Sequence, residues 1–215
     1  MINATINNVK IEVPEGTTIL WAAKKANINI PTLCFHPDLI PGGQCGVCVV
    51  EIEGIPGLKR SCMTPIGEGF KVHTHTPKVM SARKQLIEMI LANHDSECLT
   101  CIKNNNCELQ TLAATLGINM VEYAKFEEKL PLDRSSVSIV RDPNKCILCG
   151  RCIQVCSNIQ TVNALAVNHR GWETVIGTAF NAGLGNSVCI NCGQCVVHCP
   201  VGALYENSSV EAVWE

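Results

Sequence analysis

Two eleven-residue runs constrain this chain more than any other feature: Cys146-Ile-Leu-Cys-Gly-Arg-Cys-Ile-Gln-Val-Cys156 and Cys189-Ile-Asn-Cys-Gly-Gln-Cys-Val-Val-His-Cys199. They are identical at six of eleven positions at an offset of 43 residues, so the last third reads as a duplicated unit with one metal centre per half. In a C-x2-C-x2-C-x3-C run, three closely spaced sulfurs can wrap one face of an iron-sulfur cubane while the fourth cysteine points away. The chain carries fifteen cysteines in all, an odd number that cannot pair completely within one chain. Its first ten residues, MINATINNVK, lack the basic start and apolar stretch of a secretory signal, and no later run reaches the length of a membrane span. A cytoplasmic protein is therefore expected, and in that reducing compartment metal ligation accounts for the cysteines better than disulfides do. A formal net charge of −2 argues against a nucleic-acid partner.

The duplicated unit resembles two-cluster bacterial ferredoxins, in which the fourth cysteine of each run ligates the other cluster. That resemblance implies one [4Fe-4S] cluster on Cys146, Cys149, Cys152 and Cys199, and its neighbour on Cys189, Cys192, Cys195 and Cys156. Pro200 follows Cys199 as the motif expects, whereas Ser157 follows Cys156; the departure lies in the turn after the ligand and touches no ligating atom. Zinc is the competing reading, but it normally takes two C-x2-C pairs to close one tetrahedron.

Near the N-terminus a third set has the spacing Cys34-x10-Cys45-x2-Cys48-x13-Cys62, unlike the plant-type C-x4-C-x2-C run. Gly42, Gly43 and Gly46 flank its second ligand, where the backbone must come close and aim N–H groups at sulfur. The run IPTLCFHPDLIPGGQC, followed by GVC and SCMTP, resembles the [2Fe-2S] domain that opens the large iron-sulfur subunit of respiratory complex I. The same domain opens iron-only hydrogenases, some formate dehydrogenases and the small diaphorase subunit of NAD-linked hydrogenases. A β-grasp fold is implied by that resemblance.

Between these sets lies His94-x3-Cys98-x2-Cys101-x5-Cys107. Three sets of four cysteines leave three, and a cluster on three cysteines needs one more donor. On spacing alone a lone histidine near cysteines is more often a bystander. His94 stands where these families place a histidine ligand on a [4Fe-4S] centre, so the resemblance implies His94, Cys98, Cys101 and Cys107 as a fourth set. The cofactors expected are thus one [2Fe-2S] and three [4Fe-4S] clusters. His36, beside Cys34, and His198, beside Cys199, read as solvent-facing or as neighbours of the ligands. Lys59, Arg60, Lys145 and Arg151 read as solvated surface charges.

An α+β chain of three modules follows. Residues 1–76 read as the [2Fe-2S] ferredoxin-like domain, a small mixed sheet on one helix capped by Thr17 and ended at Asn27. Residues 77–117 read as a small helical [4Fe-4S] domain built on one histidine and three cysteines, opened by Thr76-Pro77 and carrying Val79, Ala82, Leu86, Ile87, Ile90 and Leu91 at helical spacing. Residues 118–136 have no clear period and read as a linker, and 137–215 as the two-[4Fe-4S] ferredoxin-like domain with a β-rich insert over 162–180. A capping box, Ser208-x-x-Glu211, suggests a short terminal helix presenting Trp214 to a neighbour or folding back on its own domain.

No glycine-rich dinucleotide fingerprint or P-loop occurs, and every cysteine is assigned. The expectation is a non-catalytic redox subunit of an oxidoreductase complex, set between a flavin- and NADH-binding subunit and a hydrogenase or related dehydrogenase catalytic subunit. Three alternatives stay open: the N-terminal cluster region of an iron-only hydrogenase or formate dehydrogenase, a free multi-cluster ferredoxin, and a zinc scaffold.

Overall fold

The computed structural model describes residues 1–123 and 129–214, with 211 and 212 in backbone only. Strands β1 (Ile2–Ile6) and β2 (Val9–Val13) form an antiparallel hairpin. Its two-residue turn, Asn7-Asn8, has both φ values positive (48° and 69°), the conformation that matches the twist of the flanking strands and that asparagine tolerates. Helix α1 (Ile19–Lys25) follows. Its cap is Thr18, whose hydroxyl accepts from Trp21 N at 3.4 Å. Thr17, the expected cap, instead donates to the Pro14 carbonyl and closes the preceding turn. Asn27 ends the helix at φ 57°, as expected.

Strands β3 (Val49–Ile52), β4 (Lys59–Arg60) and β5 (Lys71–His73) complete a five-stranded sheet in the order β2-β1-β5-β3-β4, with β1 and β5 parallel and the other pairs antiparallel. One face of α1 (Ile19, Leu20, Ala22, Ala23) is buried with Ile6, Val13, Val50, Ile52 and Val72 of the sheet. The first three cysteines lie on the loop between α1 and β3, outside the sheet.

Helix α2 (Pro77–Ala92) starts with proline in its first turn and Thr76 Oγ1 accepting from Val79 N at 3.2 Å, and it stops at Asn93. It docks on the first module through Arg83, a fully buried side chain whose Nε and Nη2 donate to the carbonyls of Val47 (3.1 Å) and Val49 (2.8 Å). Burial pulls its pKa down to about 10, so it stays charged at neutral pH. Helix α3 (Glu108–Thr115) packs against α2.

The last third begins with β6 (Ile139–Arg141), which pairs antiparallel with β9 (Leu204–Glu206) near its end and so closes the module. Between them run α4 (Arg151–Gln154), continuing as a π-helical turn over Val155–Ile159, the hairpin β7 (Ala166–Asn168) and β8 (Val175–Gly177), and α5 (Gln194–His198). Helix α6 (Val210–Trp214) ends the described chain. Trp214 is 85% exposed, so it is not folded back on its own domain; the capping-box side chain of Glu211 lies outside the described residues.

Within the segment read as a linker, 124–128 lie outside the described residues, and the stretch after them is anchored. Asn144 binds both the N–H and the carbonyl of Leu130 at 2.8 Å, and Asp133 exchanges two backbone hydrogen bonds with Arg141. Single polar hooks of this kind leave no periodic signal in sequence. One apolar core then crosses all three regions, taking Leu33 and Val47 from the first, Ile87 and Leu109 from the second, and Ile139, Leu165, Val201 and Leu204 from the third.

Candidate iron-sulfur centres

The duplicated runs fold alike. At equivalent positions Leu148 (φ 53°) and Asn191 (φ 57°) are left-handed, and so are Gly150 (φ 75°) and Gly193 (φ 73°), which open α4 and α5. Alternating hands turn successive N–H groups toward one side, a concavity suited to anions. The N–H of Leu148 points at the Cys146 sulfur and that of Arg151 at Cys149. One hollow is lined by Cys146, Cys149, Cys152 and Cys199 with Ile147, Leu165, Ile176 and Val201 around them. A second is lined by Cys156, Cys189, Cys192 and Cys195 with Ile139, Val162, Leu165 and Leu184. Each hollow thus gathers three cysteines from one run and one from the other, and Leu165 is a wall of both.

Burial pushes the thiol of Cys146 up to about 11 and those of Cys149 and Cys195 up to about 12, and raises Cys152 well above the ordinary value. Buried thiols of this kind ionise when a cation compensates them, so the donor set and its apolar lining fit an iron-sulfur group.

In the first module Cys48 Sγ lies 3.3 Å from Cys62 Sγ, and Cys34 and Cys45 are likewise hydrogen-bonded through their side chains. Each pair shares a proton unequally. The bond from Cys34 brings Cys45 down to about 6, the bond from Cys62 brings Cys48 down to about 7, and Cys34 and Cys62 are correspondingly raised. Two pairs of sulfurs, with N–H groups of Val47 and Leu33 on Cys45, fit a centre with two irons and two thiolates on each.

Around the second module, Cys98 and Cys101 stand close enough to Cys107 to raise its pKa, after the larger effect of burial. The N–H groups of Leu109 and Gln110, in the first turn of α3, point at the Cys107 sulfur. His94 is buried, its Nδ1 has no hydrogen-bond partner, and the backbone carbonyl of Lys145 lies beside its ring. Burial lowers its pKa, so the imidazole is neutral at pH 7 and has a lone pair to give. A buried nitrogen left without a partner is a donor still free to bind a cation.

Several residues do other than their sequence suggests. Arg151, read as a solvated charge, is 3% exposed because it joins three modules: its Nη1 and Nη2 donate to Glu108 at 2.6 and 2.8 Å, and Nη2 also donates to the Phe35 carbonyl at 2.8 Å. Lys145 is mostly buried beside Asp142. His36 and His198, each read as solvent-facing or as a neighbour of the ligands, meet with ring centroids 4.6 Å apart and planes tilted by 58°. No spacing rule joins residues 162 positions apart, and only the docking of the modules reveals the pair. Further contacts hold the seams: Glu108 N donates to the Pro200 carbonyl, Asp95 N to that of Asn144, and the Cys101 sulfur covers Gly202, where a Cβ would lie 2.7 Å from it.

Comparison with known proteins gives three matches along the chain. Residues 1–77 match the 2Fe-2S iron-sulfur cluster binding domain, 83–122 the NADH-ubiquinone oxidoreductase-G iron-sulfur binding region, and 136–205 the ferredoxin-like domain of NADH-quinone oxidoreductase subunit 3. The NADP-reducing hydrogenase subunit HndD of Solidesulfovibrio fructosivorans is 42% identical over 100% of this chain and 37% of its own length. The NADPH-Fe(3+) oxidoreductase subunit alpha of Geobacter sulfurreducens is 39% identical over 95% of this chain and 24% of its own. The chain thus spans well under half of these curated relatives. A chain in the crystal structure of an NAD+-reducing [NiFe]-hydrogenase in the H2-reduced state superposes with a TM-score of 0.90 at 32% identity, covering 97% of this chain and 88% of that one. With three iron-sulfur domain matches along its length and 32% identity over 88% of that chain, the chain belongs to the iron-sulfur subunit family shared by NAD-linked hydrogenases and complex I-type NADH oxidoreductases.

Proposed function

We propose that this chain relays electrons through one [2Fe-2S] and three [4Fe-4S] clusters, between a flavin- and NADH-binding subunit and a hydrogenase or related dehydrogenase catalytic subunit. The observation that carries the reading is the pair of hollows, each gathering three cysteines from one run and one from the other, with Leu165 common to both. In this reading a β-grasp module, residues 1–76, holds the [2Fe-2S] cluster through Cys34, Cys45, Cys48 and Cys62. Residues 77–117 hold a [4Fe-4S] cluster through His94, Cys98, Cys101 and Cys107. Residues 137–215 hold the crossed pair, Cys146, Cys149, Cys152 and Cys199 beside Cys189, Cys192, Cys195 and Cys156. The clusters supply reversible one-electron chemistry over a potential range set by ligand type, hydrogen bonds to sulfur and solvent access.

The chain's own residues do the rest. Leu165, Ile176 and Val201 keep water from the first hollow, and Ile139, Val162 and Leu184 from the second. Backbone N–H groups stabilise the thiolates, and a neutral His94 in place of a fourth thiolate makes added negative charge at its centre less costly. The shared core and the Arg151 junction hold the modules at fixed separation. No helix among the described residues is long and apolar enough to cross a membrane, which suits partners met from water.

Hydride transfer from NADH needs a two-electron acceptor such as flavin, which this reading assigns to a partner. The isolated chain is expected to take electrons from dithionite, to oxidise no NADH, and to be reduced by NADH once the flavoprotein subunit is added. NADH-dependent dye reduction by the flavin-free chain contradicts the relay. A second reading rests on the fraction of the curated relatives that the chain spans: it is the cluster-bearing N-terminal region of an iron-only hydrogenase or formate dehydrogenase. The gene boundary decides between them.

A further inference from the structure

We propose that His36, Asp38 and His198 form a mononuclear site for a divalent transition-metal ion across the seam between the first and last modules. One nitrogen of each imidazole and one carboxylate oxygen of Asp38 lie within 4.8 Å of one another. Two donors on one tetrahedral zinc stand roughly 3.3–3.6 Å apart, given bonds of about 2.0–2.2 Å. His36 Nδ1 and Asp38 Oδ2, at 3.7 Å, are already near that separation. The remaining closure is about 1 Å, within the reach of the Asp38 side chain, which is 71% exposed. It also exchanges a long hydrogen bond, Asp38 N to His36 Nδ1 at 3.3 Å, for a metal bond.

The tautomer of His198 is fixed in the sense a metal requires. Its Nδ1 lies 2.9 Å from the Gln194 carbonyl, which can only accept, so Nδ1 carries the proton and Nε2 keeps its lone pair. His198 is buried at the end of α5, with its ring 4.6 Å from that of His36. Arg151, whose Nη2 donates to the Phe35 carbonyl next to His36 at 2.8 Å, brings a positive charge close to this seam. The nearby charge of Arg151 is itself met by both oxygens of Glu108. Two imidazoles and one carboxylate, with a position left for water, suit zinc or another borderline ion. The set uses no cysteine and so takes no ligand from the cluster centres. Its ligands come from segments about 160 residues apart in sequence, so a bound ion straps the [2Fe-2S] module to the duplicated one.

The test uses the full chain with its iron-sulfur clusters in place, purified without air. After exposure to a weak chelator it is equilibrated with buffered zinc at micromolar free concentration. Bound zinc and iron are counted, and zinc absorption-edge spectroscopy reads the ligand atoms. One zinc per chain is expected, bound by nitrogen and oxygen alone, with iron unchanged. Asp38→Ala and His198→Gln are each expected to weaken binding on the order of tenfold or more. Should His198→Gln lose iron because of its place beside Cys199, the exposed Asp38→Ala decides. Absence of zinc uptake, sulfur-ligated zinc, or wild-type zinc affinity in Asp38→Ala overturns the proposal.

Discussion

His94 is the residue whose chemistry most separates a relay from a generic cysteine scaffold. It is buried with an unpartnered Nδ1 and held neutral, so an alanine there removes a buried nitrogen donor. His94→Ala is expected to lose one [4Fe-4S] signal in electron paramagnetic resonance, with the [2Fe-2S] signal intact and about four irons fewer per chain. His94→Cys is expected to keep four clusters, one of them at a lower potential because thiolate adds negative charge. An unchanged spectrum and iron content in the alanine variant make His94 a bystander. The cysteines gathered in the two hollows were legible in sequence because each run is local, whereas His94 was singled out by the family resemblance, spacing alone reading it as a bystander. Arg151 was not: an arginine inside a cysteine run carries no mark that Phe35 and Glu108 will meet it. The partnership of His36 with His198 was hidden for the same reason, since each sits beside a cysteine and draws attention only to that neighbour.

At the level of elements, the duplicated helix-opening turns give an internal control. Gly150 and Gly193 hold the same left-handed conformation, but a Cβ on Gly193 meets open space, whereas one on Gly150 lies 3.3 Å from the Gln44 side chain of the first module. Gly193→Ala is expected to cost about 1–2 kcal/mol from backbone conformation alone. Gly150→Ala is expected to cost more and to raise hydrogen exchange where Gln44 meets α4. Equal costs in a denaturation series would mean that the Gln44 contact carries no energy. Elements with a strong local signature, such as α2 with its Thr76-Pro77 start and apolar period, were readable to within a residue. The α1 cap fell one residue later than expected because two adjacent threonines compete, and Thr17 is drawn into the Pro14 turn. Segment 118–136 looked structureless because its later part is held by Asn144 and Asp133, outside any repeating pattern.

For the whole molecule, the single core crossing three modules means that cluster loss is felt beyond the site that loses it. The sign of its pH dependence follows from the buried thiols. In metal-free protein Cys146, Cys149 and Cys195 hold their protons up to about 11–12, while unfolded thiols release theirs near 8.5–9. Between these values the folded chain binds more protons, so its stability falls as pH rises from about 9 toward 12. Urea midpoints of apo-protein are expected to drop across that window, while cluster-loaded protein, its sulfurs already ionised, lacks this dependence. A flat apo profile would show that these thiols are not buried in the metal-free state. The measurement that bears most directly on the relay is an anaerobic reductive titration of the native chain with iron and acid-labile sulfide counted on the same sample. Four ligand sets require about 14 irons, matching sulfide in two-iron and four-iron centres, and uptake of about four electrons by one-electron steps. A colourless preparation that holds zinc in place of iron and takes up no electrons contradicts the account.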